Sequence, residues 1–312
     1  MQPGGVAVVP LPGLTRQAVE DQSVALAAAV DRAADRGAGD RDAQQAVAGV
    51  LRWLGATVVD PVLDHLGVPA GHPSPPRVWW SPVGALALLP VHAAAAGRVV
   101  SSYTPTLRAL RRARARPAAP GPTLVVAMAE TPGATPLPQA GREAAAVADL
   151  TGATVLREAG ATAGAVRAAL PRHPGVHFAC HAVADPADPS AGRLLLHDHR
   201  EQALTVREIA DLDLDLARLA VLSACETSRT TAHLPDEALH LASSFQLAGY
   251  PEVVGTLWPV NDRIARAVAV DLYRGLQAGS GAAEALHAAT ERCRATYPDT
   301  PTLWAAYVHS GR

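Results

Sequence analysis

The sequence predicts an α/β protein: a mostly parallel sheet flanked by helices, preceded by a helical and mixed N-terminal subdomain. Three observations carry this. From residue 123 onward, short apolar runs alternate with helical patterns. The runs are apolar at consecutive positions, as strands buried on both faces must be. The helical patterns between them supply the crossover that parallel neighbours require.

Before that alternation, residues 15 to 66 read as helical. TRQAVEDQSVALAAAVDRAADRG opens at a Thr15 cap, carries Val19, Leu26 and Val30 at near-helical spacing, and stops at Gly37. A second pattern runs from Asp42 through Val47, Val50, Leu51 and Leu54 to Gly55, and a third from Val58 to Gly67. PAGHPSPP at 69–76 breaks the helical region, after which RVWWSP (77–82) and RVVSSY (98–103) read as strands. A short helix through Leu107 and Leu110 then ends in RALRRARARPAAPGP, with Arg108, Arg111, Arg112, Arg114 and Arg116. Nucleic-acid contact is one reading of that cluster. No aromatics are interleaved for stacking and prolines follow, so a solvated helix end and linker is preferred. The organisation expected is a subdomain over 1–116, a linker at 117–122 and an α/β subdomain over 123–312.

The second half alternates between strands and helices. Strands are read at TLVVAMA (123–129), TVLRE (154–158), GVHFAC (175–180), RLLLHD (193–198), LAVLSAC (219–225) and EVVGTLW (252–258). Helices are read at 141–150, 162–170, 205–212, 236–249, 261–277 and 282–296. Thr205 and Glu208 are spaced as a capping box at the start of the third of these.

Composition excludes several classes. The 312 residues carry 27 basic and 29 acidic side chains, a net charge of -2, which leaves no electrostatic footprint for nucleic acid or an acidic membrane surface. The opening MQPGGVAVVPLPG does not read as a secretory signal, and no apolar run reaches the roughly 18–20 residues that span a bilayer. Three cysteines with no CxxC pair fit a reducing cytoplasm rather than a disulfide framework. The expectation is a cytoplasmic protein with neither nucleic-acid nor membrane partners.

Candidate chemistry sits at two strand ends. GVHFACHA delivers His181 and LAVLSACETS delivers Cys225, each at or one step beyond the end of a predicted strand. Ligands of open α/β sheets bind outside the carboxyl ends of strands, so both would share one edge. A thiol is only partly ionised at neutral pH and an imidazole can take its proton, making Cys225 a nucleophile and His181 its base and acid. Backbone N–H groups of Ala182 and Cys225 are the candidate oxyanion donors. No acidic third member stands out; Asp185 is close only in sequence. His173, His177 and His181 are spaced by four, which on a helix would suggest zinc, but Pro174 and Gly175 break a helix and VHFAC reads as a strand. Cys180 and Cys293 read as core fillers. With no GxxxxGK loop and no GxSxG elbow, neither a nucleotide enzyme nor a serine hydrolase is indicated, and no metal or cofactor is expected.

HFACHA, LAVLSACET, HLASSFQLAGY and VVGTLWPVND together closely resemble the CHAT family of caspase-like cysteine peptidases. WWSPVGALALLPVHAAAAGR, SSYTPTLRAL and TLWAAYVHSG also resemble its blocks, so the likeness covers roughly residues 40 to 312. The resemblance implies a fold like that of caspases and separase, with a His181/Cys225 dyad. Ala182 and Ser228 stand where the family usually has glycine. The resemblance further implies a protein substrate, one encoded nearby being a candidate, a TPR-containing or other regulatory partner, and roles in bacterial defence or regulated signalling. No 34-residue repeat of TPR type is found in the chain itself. Related enzymes place acidic residues near the WPVND segment to receive a basic substrate side chain, which makes Asp262 and Glu226 substrate-binding candidates, with Trp258 as a pocket wall. Asp262 also suits the cap of the helix that follows. The alternative reading is a weak or inactive module that scaffolds other proteins.

Overall fold

The computed structural model describes residues 5–71, 74–117, 120–183, 185, 188–223 and 236–312. Its strands are β1 (Arg77–Trp80), β2 (Val100–Tyr103), β3 (Thr123–Ala127), β4 (Thr154–Arg157), β5 (Gly175–Ala179), β6 (Ala182–Val183), β7 (Arg193–Leu194), β8 (Leu204–Thr205), β9 (Leu219–Leu222), β10 (Glu252–Thr256) and β11 (Tyr307–Gly311). Among the described residues an eight-stranded sheet has the order β1-β2-β11-β10-β9-β5-β3-β4, and a three-stranded sheet the order β6-β7-β8.

The α/β architecture is the expected one. β4, β3, β5, β9 and β10 are parallel to one another. β11 is antiparallel to β10 but parallel to β2, which is parallel to β1. The large sheet is thus a block of five strands joined to a block of three running the opposite way. Strands from both sides of 117–122 lie in it.

The central strands β3, β5 and β9 are buried at every position, and their side chains alternate between two cores. Val125, Ala127, Ala179, Leu219 and Val221 face one core, shared with the helices Arg16–Arg36, Ala140–Thr151, Asp262–Gln277 and Ala282–Thr296. Leu124, Val126, Val176, Phe178, Ala220 and Leu222 face the other, closed by Ala163–Ala169, Val206–Ala210 and Asp236–Ala248. The helix after β3 therefore lies on the first face and leads to β4 on one side. The connection after β5 lies on the second face and leads to β9 on the other. Between the carboxyl ends of β3 and β5 the chain parts in both directions, which makes that edge the topological switch point of the sheet.

Several elements differ from the sequence reading, among them the two-residue strands β6 and β8, and two of the differences alter the architecture. Gly55 does not stop a helix: at φ −53°, ψ −61° it continues one. A five-residue π turn, Gly55–Val59, joins Arg41–Leu54 to Asp60–His65. Pro61 has no N–H to give, and the wider turn just ahead of it, closed by Asp60 N–H on the Gly55 carbonyl, accommodates the missing donor. The resulting 25-residue helix is long and apolar enough to cross a bilayer by length and composition. Its Val47, Val50, Leu54, Val58, Val59 and Leu63 face belongs to the first core. The second difference is β11, a terminal strand set between β10 and β2 that carries no strand pattern of its own.

Candidate functional site

His181 lies two residues beyond β5. The alternation that turns His177 and Ala179 toward the first core does the same for His181, which is 2% exposed. Its Nε2 stands 2.7 Å from the Thr135 carbonyl oxygen. A carbonyl only accepts, so Nε2 carries the proton, and Nδ1 is the basic nitrogen of the neutral ring. Thr135 belongs to the loop leaving β3, so the two strands that form the switch point supply the imidazole and the group that orients it. Among the described residues the oxygen facing Nε2 is this carbonyl and not a carboxylate. The Asp185 carboxylate accepts the N–H of Asp188.

β9 runs beside β5 with Leu222 opposite Phe178, and the Ser223 N–H donates to the Phe178 carbonyl at 2.9 Å. Ser223 and His181 line one small cavity of about 40 Å³. Cys225 and Glu226 lie outside the described residues. Ala182 opens β6 opposite Leu194, and the Leu195 N–H donates to the His181 carbonyl. In that antiparallel pattern Ala182 is a non-hydrogen-bonded partner, so its N–H is directed away from β7.

Two carboxylates complete the cavity wall, Asp262 and Glu143. Asp262 does not cap its own helix. Asn261 does, its side chain accepting the Arg263 N–H, while Asp262 Oδ2 reaches across to the Gln139 N–H at 2.7 Å. Burial raises the Asp262 carboxyl above the usual range; the Gln139 N–H works against this, Glu143 adds to it and His181 lowers it. Glu143 Oε1 lies 2.8 Å from His177 Nε2, with the carboxylate 2% and the imidazole 0% exposed. His177 also meets Tyr273 edge-on at 5.5 Å. Sequence reasoning missed this pair, although Glu143 shares a helix face with Ala140, Ala144 and Val147 and is the lone acid on that buried stripe.

The remaining candidates are placed elsewhere. Trp258 is in the core, its Nε1–H donating to the Thr302 carbonyl, while Pro259 and Val260 wall the cavity in its stead. His177 is in a strand and His173 hydrogen-bonds the Ala169 carbonyl, so the fours-spaced histidines do not stack on a helix. Cys180 and Cys293 are buried, one in each core. Burial pushes the Cys293 thiol up to about 11. Of the arginine cluster, Arg116 hydrogen-bonds the Leu214 and Gly249 carbonyls, and Arg114 stacks on Trp79 at 4.4 Å.

A family model described as the CHAT domain matches residues 48–312. No curated protein matches the chain.

Proposed function

We propose, from the premise that this chain belongs to the CHAT domain family and so to the caspase-like clan, that it is a cysteine endopeptidase cleaving a specific protein partner through His181 and Cys225. The observation that carries this is the state of His181: its proton is held on Nε2 by a main-chain carbonyl, which leaves Nδ1 as a base. Cys225 follows Ser223 by two residues, and two trans peptide units reach at most about 7.6 Å. Ser223 itself borders the cavity that His181 lines.

In this reading His181 Nδ1 takes the thiol proton and the thiolate forms a bond to the substrate carbonyl carbon. The oxyanion is received by N–H groups, for which Ala182, facing away from β7, is suited. Collapse breaks the C–N bond as His181 returns the proton to the leaving amine, and water then hydrolyses the thioester. Asp262 and Glu226 are proposed to receive a basic substrate side chain. Among the described residues the cavity at His181 is about 40 Å³, room for a few waters. Activation by a TPR-containing or other regulatory protein, in the cytoplasm, on a substrate encoded nearby, belongs to the same proposal.

A second reading is a CHAT module that scaffolds without catalysis. It asks only for the family fold, whereas catalysis also asks for a thiol beside the His181 imidazole. On what is described, the second reading needs the less added. Cys225→Ala separates the two. Expressed beside the products of adjacent genes and compared with wild type by proteomic mapping of new termini, it should lose cleavage by on the order of 10⁴-fold or more with the fold intact. Unchanged cleavage, or none in wild type with the partners present, decides for the scaffold.

A further inference from the structure

The carbonyl that orients His181 is on a loop with three outside attachments. The neck is closed by Leu137 N–H on the Ala129 carbonyl, and within it the Ala134 N–H turns back to Thr131. Glu158, beyond β4, grips the neck: its Oε1 and Oε2 accept the N–H groups of Ala129 and Glu130 at 3.0 and 3.3 Å. At the tip, His199 Nε2 donates to the Pro132 carbonyl at 3.0 Å. Beside it the Arg200 guanidinium fills the space over Gly133, where a Cβ would stand 1.7 Å from Nη2. The exit is tied by Gln139 N–H to Asp262.

Glu158 is also, among the described residues, the one non-glycine with positive φ, at 47°. An L-residue adopts that conformation only when its surroundings over-determine it, and such residues gather at functional sites. Here the conformation turns the carboxylate back onto the two N–H groups of the loop neck.

We propose that Glu158, with His199 and Arg200 at the other end of the loop, clamps the Thr135 carbonyl against His181 and so sets which imidazole nitrogen is the base. Glu158 is then a positioning residue, acting through the loop without touching substrate. The tautomer claim stands on these contacts; its consequence for catalysis rests on the peptidase reading above.

The test is ¹⁵N NMR of histidine-labelled full-length protein, with the His181 ring signals assigned by their loss in His181→Gln. Wild type should show the Nε2–H tautomer alone. Glu158→Ala and Glu158→Gly should both show an Nδ1–H population of roughly a tenth or more. Glu158→Gln, whose amide oxygen still accepts one N–H, should lie between. Glycine adopts positive φ freely, so equal behaviour of the Ala and Gly variants assigns the effect to the lost carboxylate rather than to backbone strain. His199→Ala, at the other end of the loop, should give the same mixture and serves if the Glu158 variants do not fold. A ring that stays wholly Nε2–H in folded Glu158→Gly, or a wild type with the other tautomer, overturns the proposal. A tautomer shift in a protein with no peptidase activity would uphold the clamp and refute only the catalytic reading.

Discussion

The chemistry of single residues in this chain is set by partners that a sequence names unevenly. His181 is legible because it ends an apolar strand run. Thr135 is not, since its carbonyl is common to all residues and only the path of the loop aims it. Glu143 falls between these cases: a carboxylate on an alanine-rich face is a visible anomaly, but its partner His177 comes from a strand distant in sequence. That pair lies directly beneath the candidate site, on the same face of β5 as His181. Removing one side of it should be costly, because a buried polar group deprived of its partner keeps its full desolvation penalty. Glu143→Ala should lower the unfolding free energy by about 2 kcal/mol. Glu143→Gln, which keeps an accepting oxygen at the same reach, should stay within about 1 kcal/mol of wild type. Urea denaturation measures both. Equal losses would mean that charge rather than the hydrogen bond holds His177.

Elements are legible where their signals are local. The capping box at Thr205 is of this kind. Thr205 Oγ1 accepts the Glu208 N–H at 3.1 Å, and Glu208 Oε2 accepts the Thr205 N–H at 2.9 Å. Glu208 Oε1 also meets Arg167 at 2.7 Å, which ties the short helix Val206–Ala210 to the helix Ala163–Ala169. Thr205→Ala should cost about 1 kcal/mol and Thr205→Ser only a few tenths, about 0.3 kcal/mol, on the same denaturation assay. A negligible loss in Thr205→Ala would show that the Glu208 carboxylate carries the cap alone. β11 shows the converse. Tyr307–Gly311 is ordered by pairing along its whole length with β10, and that pairing is decided by contacts remote in sequence. The joining of Arg41–Leu54 to Asp60–His65 is illegible in the sequence for a third reason. Glycine is read as a stop because it can adopt left-handed φ, yet at Gly55 the chain makes no use of that freedom.

At the scale of the molecule, the alternation of strands and helices predicts an α/β sheet but not the direction of each strand, because β11 returns between β10 and β2 and reverses the polarity of the last three. That return also draws the first half of the chain onto the last. Gln44, in the first half, exchanges two hydrogen bonds with Thr302, at 2.9 and 3.2 Å. His92, just ahead of β2, is half-buried against the segment that precedes β11, near the Ala305 carbonyl. The Tyr103 hydroxyl accepts the His92 backbone N–H at 3.1 Å, so its own hydrogen points to His92 Nδ1 at 3.0 Å, which fits a neutral ring. Burial holds that imidazole at about 4, against an ordinary 6.5. A depressed histidine stabilises the fold fully above its unfolded value and loses that stability as acid is added. Between pH 6.5 and about 4 the unfolded chain takes up a proton that the folded chain refuses, so unfolding becomes easier by about 3 kcal/mol over the window. His92→Gln removes this titration, so its stability should fall less steeply between those pH values, whatever its level at neutral pH. Buried His309, lowered in the same sense, leaves the variant a residual slope. Urea denaturation at a series of pH values gives both curves. Parallel curves for wild type and His92→Gln would show that His92 is protonated in the folded protein, and that the contact between the two halves does not depend on a neutral ring.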